Sequence, residues 1–144
     1  MNFKTISPIF EYFPPEFLHM LFLKFLKMKL FRKEIKFKNL RVKVFDKVFD
    51  NPIGLAAGFD KNAEVITGAL NLGFGYLELG TVTPMPQAGN AKPRVFKIPE
   101  FEAVIQRLGF NNCGVEEFIE NLKNSKNIKN ILGVNIGKNK NSTN

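Results

Sequence analysis

Three short and nearly continuous apolar runs divide the middle of the chain, at residues 53–57, 76–79 and 131–136. Each run ends in a turn that contains glycine. Two segments with apolar residues at helical spacing lie between these runs, at residues 63–72 and 115–122. Apolar strands that alternate with amphipathic helices are typical of parallel strands covered by helices. The pattern therefore predicts an α/β fold.

The segments around these runs carry weaker patterns. Residues 40–49 are lysine-rich and alternate between polar and apolar positions, which predicts an exposed hairpin. Between the second and third runs, prolines and a glycine predict a stiff loop over residues 84–93. A short extra strand is expected at residues 94–98, followed by an irregular connection over residues 101–110. Long loops inside compact domains are commonly functional.

The N-terminal segment is predicted to contain a helix over residues 16–31. Viewed down its axis, large apolar residues fill a broad face, although Met20 and Leu23 break the separation. The polar arc consists of Glu16, His19, Lys24 and Lys27. No apolar run reaches the roughly 18 residues that a membrane-spanning helix needs. The segment is therefore not expected to span a membrane.

Two interpretations of this helix remain open. In one, its apolar face packs on its own domain. In the other, it lies in a membrane interface, with large apolar side chains at the headgroup boundary and basic residues facing anionic lipid. Those basic residues are Lys24, Lys27, Lys29, Arg32 and Lys33.

Positive charge is concentrated near the N-terminus, because 11 of the 21 lysine and arginine residues lie in the first 50 positions. The net charge of +8 suits an anionic surface. No recognisable nucleic-acid-binding motif accompanies it, so no nucleic-acid partner is expected. Cys113 is the single cysteine and His19 the single histidine. This excludes an internal disulfide and argues against a transition-metal site.

Small and polar residues follow each predicted strand, at residues 57–61, 80–83 and 135–138. In a parallel barrel, function gathers where the strands end at their carboxyl side, so these segments are expected to lie together. Their glycines permit close backbone approach, and their hydroxyl, amide and ammonium groups suit a phosphorylated or heteroaromatic ligand. The alternative is ordinary turn chemistry.

Six sequence blocks stand at and around these rims. They are Asn51-Pro-Ile-Gly-Leu-Ala-Ala-Gly-Phe-Asp-Lys-Asn62, Gly73-Phe-Gly-Tyr-Leu-Glu-Leu-Gly-Thr-Val-Thr-Pro84, Pro86-Gln-Ala-Gly-Asn90, Lys92-Pro-Arg94, Arg107-Leu-Gly-Phe-Asn-Asn112 and Gly133-Val-Asn-Ile-Gly-Lys-Asn-Lys140. In this order they resemble the class 2, quinone-linked dihydroorotate dehydrogenases. Pro15-Glu-Phe-Leu-His19 is similar to the Pro-Glu-x-x-His element of that class's N-terminal helices.

The resemblance implies a (β/α)8 barrel and two regions within this chain. Residues 1–38 would form a helical, membrane-associating segment beside the quinone tunnel, and residues 39–144 the N-terminal portion of the barrel. The implied activity is the FMN-dependent oxidation of dihydroorotate to orotate in pyrimidine (UMP) biosynthesis, with electrons passed to quinone. The implied location is peripheral, on the cytoplasmic face of the inner membrane, with membrane contact through the first region.

The resemblance also implies roles for particular residues. Those expected to bind FMN are Ala57, Gly58, Phe59, Asp60, Lys61, Thr81 and Asn135. Those expected to face the substrate are Lys61, Gln106, Arg107, Leu108, Gly109 and Phe110, with Asn111 and Asn112 behind them. The Lys61 ammonium has the charge required opposite the orotate carboxylate. His19 is expected at the quinone tunnel.

Gln106 departs from the family pattern, which has asparagine at this position. The amide is kept, but it reaches one methylene further. If the planar orotate edge leaves no room for that shift, a misplacement of about 1 Å can cost roughly 100-fold in rate. The alternative is a tolerated exchange of one amide for another.

A (β/α)8 barrel needs about 250 residues, whereas three strands are predicted here. In this class the proton-abstracting serine lies further along, and barrels usually bind phosphate after strands seven and eight, so no catalytic residue is assigned within this chain. We therefore expect an N-terminal fragment that holds FMN poorly, is inactive alone and is prone to aggregate through an open strand edge. Two alternatives remain: a half-barrel completed by a separately encoded C-terminal half, and a non-enzymatic membrane-surface module.

Overall fold

The computed structural model describes residues 12–28, 39–125 and 128–142. Its elements, in chain order, are α1 (Pro15–Lys27), β1 (Val42–Val44), β2 (Lys47–Phe49), β3 (Gly54–Leu55), α2 (Ile66–Leu70), β4 (Tyr76–Val82), β5 (Val95–Ile98), a 3-10 turn (Pro99–Phe101), β6 (Ala103–Gln106), α3 (Val115–Asn124) and β7 (Ile131–Ile136). The predicted end of the first helix at Phe31 lies outside the described residues, as do Lys29, Arg32 and Lys33.

Strands β3, β4 and β7 form a parallel sheet with β4 in the middle. Tyr76 pairs with Gly54 on one side and with Ile131 on the other. The predicted α/β pattern is thereby confirmed, and β7 has the predicted bounds. Strand β3 is shorter than the apolar run that predicted it. At its start, the backbone N–H of Ile53 donates to the Asn51 side chain at 2.9 Å and not to a strand partner.

Helices α2 and α3 cover one face of this sheet and build the hydrophobic core with it. The buried core residues are Ala63, Ile66, Ala69, Leu70, Leu77, Leu79, Val82 and Phe118. Helix α2 begins later than predicted, because Ala63 has a left-handed backbone conformation with φ of 58°. The N–H groups of Glu64 and Val65 bond instead to the Asp60 carboxylate, which fixes the turn before the helix.

Two antiparallel hairpins lie outside this sheet. In the first, β1 and β2 pair with Val42 opposite Phe49 and Val44 opposite Lys47, which confirms the predicted exposed hairpin. Strands β5 and β6 form the second, with Val95 opposite Gln106. The prediction of an irregular connection over residues 101–110 is wrong for residues 103–106, which form β6. All four β6 residues are exposed, so no alternation of polar and apolar positions marked the strand.

Helix α1 is anchored to this body at both ends. Leu26 is buried, and its backbone lies so close to Gly68 of α2 that a Cβ there would come within 2.6 Å of the Leu26 carbonyl oxygen. At the other end, Glu16 bonds to the buried Arg94 guanidinium. Most of the remaining large apolar side chains of this segment are exposed: Phe13, Phe17, Met20, Leu21, Phe22, Phe25 and Met28, whereas Leu18 and Leu23 are half-buried. Within the part of the chain that the structure describes, no helix has the length and apolar character to cross a membrane.

Candidate functional site

The carboxyl ends of the three parallel strands meet and are joined by direct hydrogen bonds. The Gly58 N–H donates to the Gly80 carbonyl at 2.7 Å, and the Gly80 N–H donates to the Asp60 carbonyl at 3.1 Å. On the other side of β4, the Thr81 hydroxyl donates to Asn135 Oδ1 at 2.6 Å. Residues that are far apart in sequence therefore form one continuous rim.

A cavity of about 360 Å³ opens above this rim. It is lined by Ala57, Gly58, Lys61, Thr81, Asn90, Gln106, Arg107, Leu108, Gly109 and Phe110. Most residues with a predicted cofactor or substrate role thus face one space, and Asn135 is tied to it through Thr81. Asn90 was missed as a lining residue. Its backbone N–H donates to the Leu108 carbonyl at 3.0 Å and its side chain to the Arg107 carbonyl at 2.8 Å.

Gly58 forms the open floor of the cavity. Its φ is 100°, a conformation that side chains disfavour, and a Cβ built on it would meet no atom within 4 Å. The absence of a side chain therefore leaves space above the backbone. A flat ring can approach the main chain at this point.

Lys61 places an ammonium group beside this floor. Its Nζ donates to the Gly58 carbonyl at 2.7 Å. Burial lowers the pKa of Lys61, and the Arg94 cation lowers it further, whereas the carboxylates of Glu16 and Asp60 oppose this shift. The result is a cation that is partly desolvated and held at the wall of the cavity.

Asp60 contributes to the rim through its backbone. Both of its carboxylate oxygens accept backbone N–H groups, from Glu64 at 2.8 Å and from Val65 at 2.9 Å. Burial raises the pKa of Asp60, and the two backbone donors counteract that rise. The side chain fixes the turn before α2, so its expected contact with a cofactor stays a prediction.

Gln106 to Phe110 form the wall opposite the rim. The Oε1 of Gln106 accepts the Leu108 N–H at 3.0 Å, which turns its longer side chain back along the wall. The Arg107 guanidinium lies over the Phe96 ring at 5.8 Å and donates to the Pro93 carbonyl at 3.3 Å. The wall is therefore held by contacts with its own hairpin.

A network of side-chain hydrogen bonds behind the wall connects it to the rim. Asn112 Nδ2 donates to Thr83 Oγ1 at 2.9 Å. Asn139 Nδ2 donates to Gln87 Oε1 at 3.0 Å, and Gln87 Nε2 donates to the Phe110 carbonyl at 3.1 Å. Asn112 was predicted behind the wall, whereas Gln87 and Asn139 carried no predicted role. Their one signal was their presence in the sequence blocks given above.

Phe59 and His19 meet at a second cavity, of about 400 Å³, between α1 and the rim. Their rings are 5.2 Å apart in an edge-to-face arrangement. Burial lowers the pKa of His19, and the Lys61 cation adds to that effect. Lys61 lines both cavities. Buried Asn111 Oδ1, at the same cavity, has no hydrogen-bond partner among the described residues.

Comparisons with known proteins agree with this geometry. Residues 39–144 match the family model described as dihydroorotate dehydrogenase. A protein of Idiomarina loihiensis named dihydroorotate dehydrogenase (quinone) is 48% identical over 97% of this chain and 43% of its own length. A protein of the same name from Stenotrophomonas maltophilia is 54% identical over 70% of this chain and 29% of its own length. The chain thus spans less than half the length of these relatives.

Solved structures give the same result for the fold. A crystal structure of the Eimeria tenella dihydroorotate dehydrogenase in complex with ferulenol matches with a TM-score of 0.82 and 37% identity, over 90% of this chain and 37% of that one. Its ligand-free form matches with a TM-score of 0.81. The three-stranded sheet with its helices therefore corresponds to part of an α/β barrel, as the sequence predicted.

Proposed function

Because the chain belongs to the dihydroorotate dehydrogenase family, we propose that its rim supplies part of the FMN and substrate site for oxidation of dihydroorotate to orotate, with quinone as electron acceptor. One observation carries this proposal. Gly58, Lys61 and Thr81 line a single cavity at the carboxyl ends of parallel strands, and Asn135 bonds to Thr81. Barrel enzymes place their chemistry at this end.

The residues at the rim fit a flavin. Gly58 leaves open space where a planar ring can lie against the backbone. Thr81 and Asn135 place a hydroxyl and an amide at the edge of that space, which suits the polar edge of a heteroaromatic ring. When bound, FMN would accept the two electrons that leave dihydroorotate. Phe59 lies at the second cavity, so a direct contact of its ring with FMN is the least supported part of the cofactor proposal.

Lys61 and the wall would hold the substrate. The ammonium group is fixed by the Gly58 carbonyl and partly desolvated, so its attraction to a carboxylate exceeds that of a solvated lysine. Gln106 would offer its NH2 group, since its oxygen already accepts the Leu108 N–H. The position that the Lys61 cation takes would orient the substrate against the flavin face.

Helix α1 would provide the quinone side of the site. Its exposed apolar residues suit a lipid interface, and His19 and Phe59 line the cavity beneath it. We place this surface peripherally at the cytoplasmic face of the inner membrane. A non-enzymatic membrane-surface module is the second candidate, and the same exposed residues favour it. Sedimentation with anionic vesicles, together with failure to bind FMN, would favour that second candidate.

The remaining strands of the barrel would come from a segment that corresponds to the part of the relatives that this chain does not match. Among the described residues, β7 pairs with β4 alone, so its outer edge can accept a further parallel strand. Ile136 and Val134 are exposed on this strand. We propose that a C-terminal half, separately encoded or continuous with this chain, covers that edge and supplies the catalytic base.

A chimera tests the proposed activity. Residues 1–144 would replace the matched segment of the Idiomarina loihiensis relative, and dihydroorotate-dependent reduction of a quinone would be measured. We expect turnover that falls more than 100-fold in Lys61→Met and is unchanged in Lys123→Met, which alters an exposed lysine in α3. A folded, FMN-containing chimera without turnover, or one insensitive to Lys61→Met, would contradict the proposal.

A further inference from the structure

Glu78 is a partly buried carboxylate to which the proposed function gives no role. Leu77 and Leu79 face the core, so the alternation of β4 puts Glu78 on the opposite face. Its ladder partner on β7 is Gly133, whose missing Cβ would lie 3.6 Å from Glu78 Cγ. At this position the Glu78 side chain lies against β7. There its Oε1 accepts a hydrogen bond from Asn135 Nδ2 at 3.1 Å.

This contact fixes the direction of a short chain of hydrogen bonds. A carboxylate accepts hydrogen bonds and cannot donate them, so the Asn135 amide must turn its NH2 group toward Glu78. The amide oxygen then faces Thr81, and it accepts the Thr81 hydroxyl proton at 2.6 Å. A threonine hydroxyl has one proton. What Thr81 Oγ1 can still offer to a ligand in the cavity is therefore acceptor capacity.

We propose that Glu78 is a positioning residue, which orients the Asn135 amide and thereby makes Thr81 an acceptor that selects an N–H or O–H donor on the ligand. The inference rests on the proposed function and deepens it by naming the chemistry of the ligand group at Thr81. On FMN, the ring imide N–H and the ribityl hydroxyls are donors of this class.

Glu78→Gln separates this role from a packing role, because the two side chains have almost the same shape. A glutamine amide can donate as well as accept, so the Asn135 amide can reverse. Its oxygen can then face the introduced glutamine, and the Thr81 hydroxyl can point its proton toward the cavity. The melting temperature should stay within about 3 °C, since this change removes no buried apolar surface. Glu120→Gln, on the exposed side of α3, is the matched control.

The first measurement needs no ligand. In the full 15N-labelled chain, kept soluble in a zwitterionic detergent, the Asn135 side-chain amide is assigned by its loss in Asn135→Asp. We expect this resonance to move in Glu78→Gln, where the amide is free to reverse, and to stay in place in Glu120→Gln. An Asn135 resonance that does not respond to Glu78 would overturn the inference.

The second measurement is FMN affinity, from quenching of flavin fluorescence by the same chain. We expect up to about tenfold weaker binding in Glu78→Gln, the upper end of the range for one hydrogen bond between neutral groups. A flavin methylated at the imide nitrogen distinguishes the two donors. Its affinity should not change in Glu78→Gln if the imide N–H binds Thr81. Its affinity should fall as much as that of FMN if a ribityl hydroxyl binds Thr81.

The outcomes of this binding test separate the two proposals. FMN affinity that is equal in Glu78→Gln and the unsubstituted chain overturns the role of Glu78 and leaves the proposed function standing. Absence of any FMN binding by the unsubstituted chain, at concentrations up to the millimolar range, overturns both.

Discussion

The two faces of strand β4 differ in both burial and chemistry. On one face, Leu77 and Leu79 are 1% exposed and pack against α2 and α3. On the other, Glu78 and Thr81 make polar contacts to Asn135, and Thr81 lines a cavity. The period of two in an extended strand separates Leu77 and Leu79 from Glu78. The register shift between Gly80 and Val82 then brings Thr81 to the Glu78 side, while Val82 joins the core. One face should therefore determine stability and the other ligand binding.

The largest expected effect lies on the core face. Leu79→Ala should lower the free energy of unfolding by about 2–5 kcal/mol, because it removes buried methyl groups and leaves a cavity. Chemical denaturation followed by circular dichroism measures this. Val104→Ala, on the exposed strand β6, is the control and should cost less than about 0.5 kcal/mol. Equal effects in the two variants would remove the distinction between the faces.

The ion pair between Glu16 and the buried Arg94 should also contribute to the free energy of unfolding. The Arg94 side chain is 7% exposed and bonds to Glu16 and to the carbonyls of Ala88 and Asn90. Arg94→Met should cost about 2 kcal/mol, less than the 3–5 kcal/mol of a fully buried pair because Glu16 is 26% exposed. The measurement is again denaturant unfolding, with Lys123→Met, which alters an exposed lysine, as control. A cost near zero would mean that this pair does not anchor α1.

The same pair predicts a pH dependence. The hydrogen bond from Arg94 holds the pKa of Glu16 below its usual value of 4.5. Its contribution to stability is therefore present above pH 4.5 and is lost as pH falls through the lowered pKa. In Glu16→Gln the free energy of unfolding should fall less steeply below pH 4.5 than in the unsubstituted chain. The same pH dependence below pH 4.5 in both proteins would contradict this assignment.

The floor of the cavity should affect ligand binding more than stability. Gly58→Val places a side chain in the open space and forces a β-branched residue to φ of 100°. We expect at least tenfold weaker FMN binding, with a loss of stability of about 1–2 kcal/mol from backbone strain. Ala103→Val on β6 is the control for added volume and should change neither. Unaltered FMN affinity in Gly58→Val would show that the flavin does not approach this backbone.

The smallest expected effect concerns His19. Burial, and secondly the Lys61 cation, hold its pKa below 6.5. The neutral form is thus favoured on folding, so this contribution is present above pH 6.5 and is lost as pH falls from there through the folded-state pKa. Because the chain has one histidine, its NMR titration is unambiguous. Lys61→Met should raise the pKa only in part. A midpoint at or above 6.5 in the folded chain would contradict this.

The sequence predicted the elements whose pattern is long and regular. Strand β7 and helix α3 came within two residues of their bounds, since apolar spacing repeats over their whole length. Strand β6 carried no such signal because all its residues are exposed. The late start of α2 depends on Ala63 and on the Asp60 carboxylate, and periodicity reports neither.

The residues of the candidate site were also predictable only in part. Its rim residues lie in recognisable blocks, so the cavity lined by Gly58, Lys61 and Thr81 could be expected from sequence. The contacts that orient these side chains could not be expected from the sequence. The Glu78–Asn135 contact spans 57 positions and depends on the register between β4 and β7. The Glu16–Arg94 pair spans 78 positions and depends on where α1 lies. No pattern within a short stretch of sequence indicates a contact between residues that lie so far apart along the chain.

Mapping FMN onto the chain tests the central claim most directly. The 15N-labelled chain in detergent would be titrated with FMN, and amide shifts would be followed residue by residue. The account predicts that the shifts concentrate at Gly58, Lys61, Thr81 and Asn135, and that Gly58→Val needs at least tenfold more FMN to reach the same shifts. Shifts confined to α1 or to the hairpin of β1 and β2, or an unaltered FMN dependence in Gly58→Val, would contradict it.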